Sequence, residues 1–205
     1  MKQNNSTIIL ASASPRRAEI FDQMLIKDYL VIPAEIDETP KKAEIPRLYS
    51  VRMAQHKGQK VFELIKKNKS QYQNISDKFT IIACDTVCAV GRRILPKAEN
   101  DQEVEKCLRL ISGRRHRIYS TVFGINQEGK EKFKIAQSIV KFKRFTEQEI
   151  SLYIQTKEGI GKAGGYAIQG SASCFVSFIS GSYSNIVGLP IYETKNILEY
   201  FQCRT

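Results

Sequence analysis

One globular α/β unit, or such a core with a small lobe, is the fold class this sequence predicts, and three observations predict it. The chain has 205 residues and 42% hydrophobic content, which suits a single core of ordinary size. Short apolar runs suited to buried strands (Ile8–Leu10, Phe79–Ala83) are interspersed with stretches of helical spacing. No internal repeat and no low-complexity linker divides the chain.

The first element is the run Ile8-Ile9-Leu10, a strand. Ala11, Ser12, Ala13 and Ser14 follow, small enough for another molecule to come close. Ser14 reads as an N-cap and Pro15 as the first helical residue. Ala18, Phe21 and Leu25, with Ile20 and Met24, lie at helical spacing behind it. This strand–loop–helix unit offers free backbone N–H groups, two serine hydroxyls (Ser12, Ser14), Arg16 and Arg17, together a site for an anion such as phosphate. Arginine in a first turn opposes the helix dipole, which argues for a ligand there; a basic surface helix start is the plain alternative.

Tyr29 to Ile32 reads as a second strand, closed by Pro33, and an acidic cluster follows at Glu35, Asp37 and Glu38. Carboxylates just past a strand end either hold Mg²⁺ near a phosphate or face solvent. Pro46 opens a helix to about Lys66, with Val51, Ala54, Val61, Phe62 and Ile65 on its buried face. Lys57 falls on or beside that stripe, so it either snorkels to water or points its ammonium into a site. Residues 66–78 are polar and aperiodic, a loop.

Phe79 to Ala83 is an apolar strand running into Cys84-Asp85-Thr86-Val87. An aspartate at the end of a buried strand is costly unless paired or bound to a cation. In open α/β sheets the ligand crevice lies outside the carboxyl ends of strands. Asp85 is therefore the best single candidate for a metal ligand or general base, with a turn or cap aspartate as the alternative; Thr86 can reach the same ligand. Gly91-Arg92 turns the chain into a short strand ending at Pro96-Lys97. A helix with Val104, Cys107, Leu108 and Ile111 comes next, capped by Asn100 or Asp101 and ended by Gly113. Arg114, Arg115, His116 and Arg117 form a basic knot before the strand Ile118–Ile125, facing phosphate or solvent. Asn126–Lys130 has turn composition, and Phe133–Phe145 is the returning strand of a hairpin. Thr146-x-x-Glu149 is a capping box, and its helix buries Ile150, Tyr153 and Ile154 and stops near Gly159.

Gly159 to Gly170 holds five glycines in twelve residues, including a literal G-x-G-x-x-G. A helix rather than a strand precedes it, so it is no dinucleotide fingerprint, and Lys162 followed by alanine is no Walker A loop. The glycines permit close approach of backbone to a ligand, or a tight crossover. Gln169 offers an amide that could read a base edge. Cys174–Ile179 reads as a strand, Gly181-Ser182 as a turn, and the last helix buries Ile191, Thr194, Ile197, Leu198 and Phe201.

Composition limits the function classes. No apolar run approaches the roughly 20 residues of a membrane helix, and the first residues lack a signal-peptide core, so the expected compartment is the cytoplasm, with no membrane partner. Cys84, Cys88, Cys107, Cys174 and Cys203 read as reduced core thiols; Cys84-x-x-x-Cys88 has no partner pair for zinc. The net charge of +11 suits nucleic acid or a phosphorylated small molecule, but much of the excess lies in dispersed lysines, and nucleic acid is not the expected partner. With no G-x-S-x-G elbow and no H-E-x-x-H, covalent catalysis is unsupported. Metal-assisted attack of water on a phosphorus is what the inventory permits.

Six segments in order make the chain similar to one known family: Leu10-Ala11-Ser12-Ala13-Ser14-Pro15-Arg16-Arg17, Ile36-Asp37-Glu38, Asp85-Thr86-Val87, Leu110-Ile111-Ser112-Gly113-Arg114, Lys162-Ala163-Gly164-Gly165-Tyr166-Ala167-Ile168-Gln169-Gly170 and Val187-Gly188-Leu189-Pro190. The sequence resembles the Maf (septum formation, Maf-like) nucleoside triphosphate pyrophosphatases over about residues 7 to 201, with a single domain expected over 7–203. The resemblance implies a long mixed twisted sheet flanked by helices, related to the inosine-triphosphate-pyrophosphatase-like fold, with the active cleft between two lobes, and a homodimer. It implies cleavage of nucleoside triphosphates between the α- and β-phosphates with Mg²⁺ or Mn²⁺, clearance of unwanted nucleotides, and a link to division arrest. It makes Asp85 the catalytic base or metal-water residue and Glu38 the companion carboxylate. Lys57 and Lys97 become the phosphate lysines, and Ser12, Arg16 and Arg17 the loop contacts.

Arg16, Thr86 and Gln169 are similar to the branch acting on dTTP and UTP rather than the 7-methyl-GTP branch. The chain departs from the family's pattern at Pro96-Lys97-Ala98, usually Gly-Lys-Pro, at Ser120-Thr121, usually Thr-Gly, and at Ile160-Gly161, where Trp or Asp is common. The alternative from another class is a basic regulatory or nucleic-acid-associated binding protein on an inactive scaffold. Retention of Asp85, Glu38, Lys57 and Lys97 together argues against it.

Overall fold

A computed structural model describes residues 6–26 and 28–203. Its centre is a seven-stranded mixed sheet. The apolar run Thr7–Ala11 (β1) lies between Tyr29–Val31 (β2) and Phe79–Val90 (β3), parallel to both. Arg93–Leu95 (β4) folds back antiparallel on the end of β3. Beyond β3 come Arg115–Asn126 (β5), Glu131–Phe142 (β6) and Val176–Ser180 (β7), each antiparallel to its neighbour. The long β5–β6 hairpin turns at Asn126–Lys130, where the Asn126 Oδ1 accepts from the Glu128 and Lys130 N–H groups.

Among the described residues six α-helices cover this sheet: Pro15–Gln23 (α1), Pro46–Lys67 (α2), Asp101–Ile111 (α3), Glu147–Gln155 (α4), Tyr183–Val187 (α5) and Ile191–Tyr200 (α6). Their starts follow the local chemistry. Pro15 and Pro46 occupy first-turn positions that need no N–H. Asn100 accepts from the Glu103 N–H, and Thr146 and Glu149 form a complete capping box.

Side chains alternate across β3, as strand geometry requires. Ile81 and Ala83 pack with Ala54 and Val61 of α2. Ile82, Cys84 and Cys88 join a second core with Ile20 and Phe21 of α1, Leu108 of α3 and Ile197 of α6. Gly58 lets α2 lie close to the sheet: a Cβ there would sit 2.4 Å from the Phe123 ring. Such an approach tolerates no side chain without displacing helix or ring.

Several sequence expectations are corrected. Asp85 does not end a strand; β3 continues to Val90. The residues Arg115, His116 and Arg117 lie inside β5, and His116 is fully buried, its Nε2 2.8 Å from the Tyr166 hydroxyl. Burial drives its imidazole down to about 4, so this member of the basic knot is neutral. Leu25 lies outside the helix: α1 ends at Gln23, and Leu25 has φ 62° and is 76% exposed. Cys174 lies in a 3₁₀ turn, Ser171–Phe175, and is exposed, unlike the other four thiols. The short helix α5 was not anticipated; the Ser182 hydroxyl accepts from the Asn185 N–H to start it.

Candidate active site

The site begins with a gap in hydrogen bonding. One edge of β3 pairs β5 from Thr80 through Ala89. The other edge pairs β1 only as far as Ala83, where Ala11 faces it, and pairs β4 only from Cys88 onward. Cys84 to Val87 therefore have an open flank, and a cavity of about 540 Å³ occupies it. The chain leaves β1 at this point to make the small-residue loop, so Ser12, Ser14, Arg16 and Arg17 line the same cavity.

Because side chains alternate, Asp85 and Thr86 serve opposite sides of the opening. Asp85 projects toward α2 and is buried. There the Lys57 ammonium donates to its Oδ1 at 2.6 Å and pairs with Glu38 Oε1 at 2.8 Å. Lys57 thus points into the site instead of snorkelling. Lys97 Nζ holds the other Glu38 oxygen at 2.5 Å. Burial alone would raise Glu38, but the Lys57 and Lys97 charges outweigh it and bring the carboxyl down to about 2. For Asp85 burial wins over Lys57, and the carboxyl is held above the ordinary aspartate range. The Tyr49 hydroxyl donates to the Glu38 carbonyl at 2.6 Å, which fixes the acidic loop. Of that loop's other carboxylates, Glu35 is exposed, and Asp37 accepts from the Thr39 N–H as a turn cap.

Thr86 faces the other way. Its hydroxyl lies 2.9 Å from Ser120 Oγ and donates to the Gly188 carbonyl at 3.1 Å. Arg17 Nε donates to that same carbonyl at 2.9 Å, and its Nη1 to Ser12 Oγ at 3.1 Å. Arg17 therefore knits α1, the loop and the Gly188 turn together. The Arg16 guanidinium makes no hydrogen bond or ion pair with another described residue and lines the cavity. Burial, then the Arg17 charge, lowers its pKa from the usual arginine value. At the family departure Ser120-Thr121, Thr121 stands opposite Asp85 in the ladder, and its hydroxyl lies 2.9 Å from Ser50 of α2.

Gln169 is not brought to this place. It is exposed and absent from the cavity wall, whereas Tyr166 and Ile168 line it. The turn that carries Gln169 is held from outside by Glu158, which accepts from the N–H and hydroxyl of Ser171.

Sequence reasoning missed two contributions. Lys162 lines the cavity, and its signal was a lone cation inside a glycine-rich segment. Ile118, Tyr166, Ile168, Ile186 and Val187 give the cavity an apolar wall; three of them lie in segments that match the family, but nothing local shows that they face one cavity.

Among the described residues no group of three or more His, Cys, Asp or Glu side chains forms a metal cage. Two carboxylates sharing one ammonium do suit a hard cation such as Mg²⁺, which takes one or two carboxylates and completes its shell with water and phosphate. No helix among the described residues is long and apolar enough to cross a membrane.

The chain matches the Maf-like protein family over residues 7–201. It belongs to that family. Two relatives named nucleoside triphosphate pyrophosphatase are 48% identical (Rickettsia felis) and 47% identical (Rickettsia akari) over 97% of this chain, covering 95% and 96% of those proteins. A dTTP/UTP pyrophosphatase of Chelativorans is 48% identical over 93% of this Maf-like chain and 89% of its own length. Among solved structures, the Staphylococcus aureus Ham1 protein aligns with a TM-score of 0.46 at 17% identity, covering 67% of this chain and 72% of that one.

Proposed function

We propose that this Maf-like chain hydrolyses nucleoside triphosphates to monophosphate and pyrophosphate, with dTTP and UTP as favoured substrates. The observation that carries the reading is the Glu38–Lys57–Asp85 arrangement at the open flank of β3, beside Arg16 and Lys162, whose side chains make no ion pair with a described carboxylate. The names of relatives nearly half identical over almost the whole chain support the reaction, and one of those names supports the pyrimidine preference.

Glu38 and Asp85 are the residues that would hold a divalent cation, Mg²⁺ or Mn²⁺. Such an ion supplies charge neutralisation and lowers the pKa of a bound water. Asp85, buried at the open flank of β3, takes the proton of the attacking water. The water oxygen bonds to the α-phosphorus, the bond to the α–β bridging oxygen breaks, and pyrophosphate leaves. Lys57 and Lys97, held at the cavity by Glu38 and Asp85, present their ammonium groups to the phosphates, so developing charge is met by fixed donors. The apolar wall at Ile118, Ile186 and Val187 receives base and sugar. A cytoplasmic homodimer acting in nucleotide clearance accompanies this reading, as the family resemblance implies.

Product analysis of dTTP, UTP, CTP, GTP and 7-methyl-GTP with Mg²⁺ or Mn²⁺ tests it. Monophosphate plus pyrophosphate is expected, fastest from dTTP or UTP. Asp85→Asn is expected to lower turnover by about 10³-fold, the middle to upper part of what one acid–base group contributes. Diphosphate plus orthophosphate as products would contradict cleavage at the α–β bond. No turnover of any nucleotide would favour a basic binding protein instead.

A further inference from the structure

The glycine-rich segment has a use that its motif did not reveal. Three backbone hydrogen bonds lash it to the Lys97 loop: Gly161 N–H to the Ala98 carbonyl at 2.7 Å, Ala98 N–H to the Lys162 carbonyl at 3.2 Å, and Gly164 N–H to the Pro96 carbonyl at 3.2 Å. Lys97 and Ala163 form an isolated antiparallel bridge in the middle of them. Gly161, at φ 71°, and Gly164, at φ 77°, supply the left-handed turns that this close lashing needs. Two loops more than sixty residues apart are thereby held as one small ribbon. The ribbon presents two lysines to one cavity.

Those lysines differ in their partners. Lys97 is paired with Glu38. The Lys162 ammonium makes no hydrogen bond or ion pair with another described residue, and it shares the cavity with the Arg16 guanidinium, which makes none either. Partial burial and the nearby Arg16 charge both push the Lys162 ammonium below its ordinary range, so an anion between the two would relieve a repulsion built into the fold. The start of α1, a nine-residue helix, adds its positive end on the Arg16 side.

We propose that Lys162 is a substrate-binding residue: with Arg16 it clamps the terminal two phosphates of the triphosphate, the portion that departs as pyrophosphate. This rests on the pyrophosphatase reading. That reading places the α-phosphorus at Asp85 and Glu38, where protein charges already balance one another, and the base against the apolar wall. The remaining charge of the substrate, its phosphate tail, falls to the cations that have no partner.

The test is calorimetric binding of two separate products, inorganic pyrophosphate and dTMP, to the full chain and to Lys162→Met and Lys162→Arg. Loss of one charge-assisted contact weakens binding about tenfold or more. Lys162→Met is expected to weaken pyrophosphate by that factor, to leave dTMP within twofold, and to be largely rescued by Lys162→Arg. Unchanged pyrophosphate binding overturns the proposal, as does an equal loss for both ligands, which would put Lys162 at the nucleoside or α-phosphate. Circular dichroism checks folding, and Lys162→Gln replaces the methionine variant if that variant unfolds. Turnover is measured on the unaltered chain alone. Its absence refutes the activity, whereas turnover with a pyrophosphate affinity indifferent to Lys162 refutes only the clamp.

Discussion

The two ends of the cavity settle their charge differently. At the Asp85 end, Lys57 and Lys97 are balanced by Glu38 and Asp85 at distances of 2.5 to 2.8 Å. At the Arg16 end, Arg16 and Lys162 face the cavity with no protein carboxylate bonded to them. A fold that balances charge at one end and withholds it at the other separates two tasks. The balanced end can keep ionised groups buried before substrate arrives. The other end has cations that no described carboxylate binds, and the proposed phosphate clamp would draw its affinity for polyanions from this difference.

The strongest way to break this comparison is to remove one partner from each end and measure stability by urea unfolding. Lys57→Met leaves Asp85 buried without its cation, and a loss of about 3–5 kcal/mol is expected. Arg16→Met removes no protein partner, and a change within about 0.5 kcal/mol is expected. Equal losses would mean that Arg16 has a structural role and that the ends are alike.

A smaller effect is expected from pH. Glu38 is held at about 2, below its ordinary value, by Lys57 and Lys97. Its folded-state pKa lies below the unfolded one, so its contribution to stability is present above the ordinary glutamate range and is lost as pH falls toward 2. Glu38→Gln should flatten the unfolding free energy across that acidic window. An unchanged slope would place Glu38 outside the balanced end.

The smallest contrast is with salt. Raising ionic strength from 0.05 to 0.3 M screens the open end more than the buried pair. Pyrophosphate affinity should fall by roughly three- to tenfold while the urea midpoint stays nearly constant. Parallel movement of the two would erase the distinction.

The sequence revealed the elements made by local chemistry. Pro15, Pro46, Asn100 and the Thr146–Glu149 box start helices where expected, because capping involves only neighbours in the chain. Asp85, Glu38, Lys57 and Lys97 were legible as candidates from their residue types and places in the chain, the family resemblance gave them roles, and the structure draws them together. What was illegible depends on distant pairing. The length of β3 beyond Asp85 is set by β5 and β4, not by its own residues. Whether Lys57 turned inward depended on Asp85 waiting 28 positions later. Arg16 and Arg17 look interchangeable in sequence, and it takes the fold to bring the Gly188 carbonyl, 171 residues from Arg17, against Arg17 and to leave the Arg16 guanidinium on the cavity. Lys162 acquired meaning only when its loop was joined to that of Lys97.

The open flank of β3 also makes strand register a chemical variable. Asp85 and Thr86 are adjacent in sequence and work on opposite sides of the sheet. A slip of a single residue in the β3–β5 ladder would turn the carboxylate toward the Gly188 carbonyl and leave the Lys57 ammonium facing a hydroxyl. Both sides would fail at once, although every side chain would still be present. The ten residue pairs from Thr80–Asn126 to Ala89–Arg117 that hold this alignment therefore act as a ruler, and an insertion just before Asp85 would part it from Lys57 without changing either side chain.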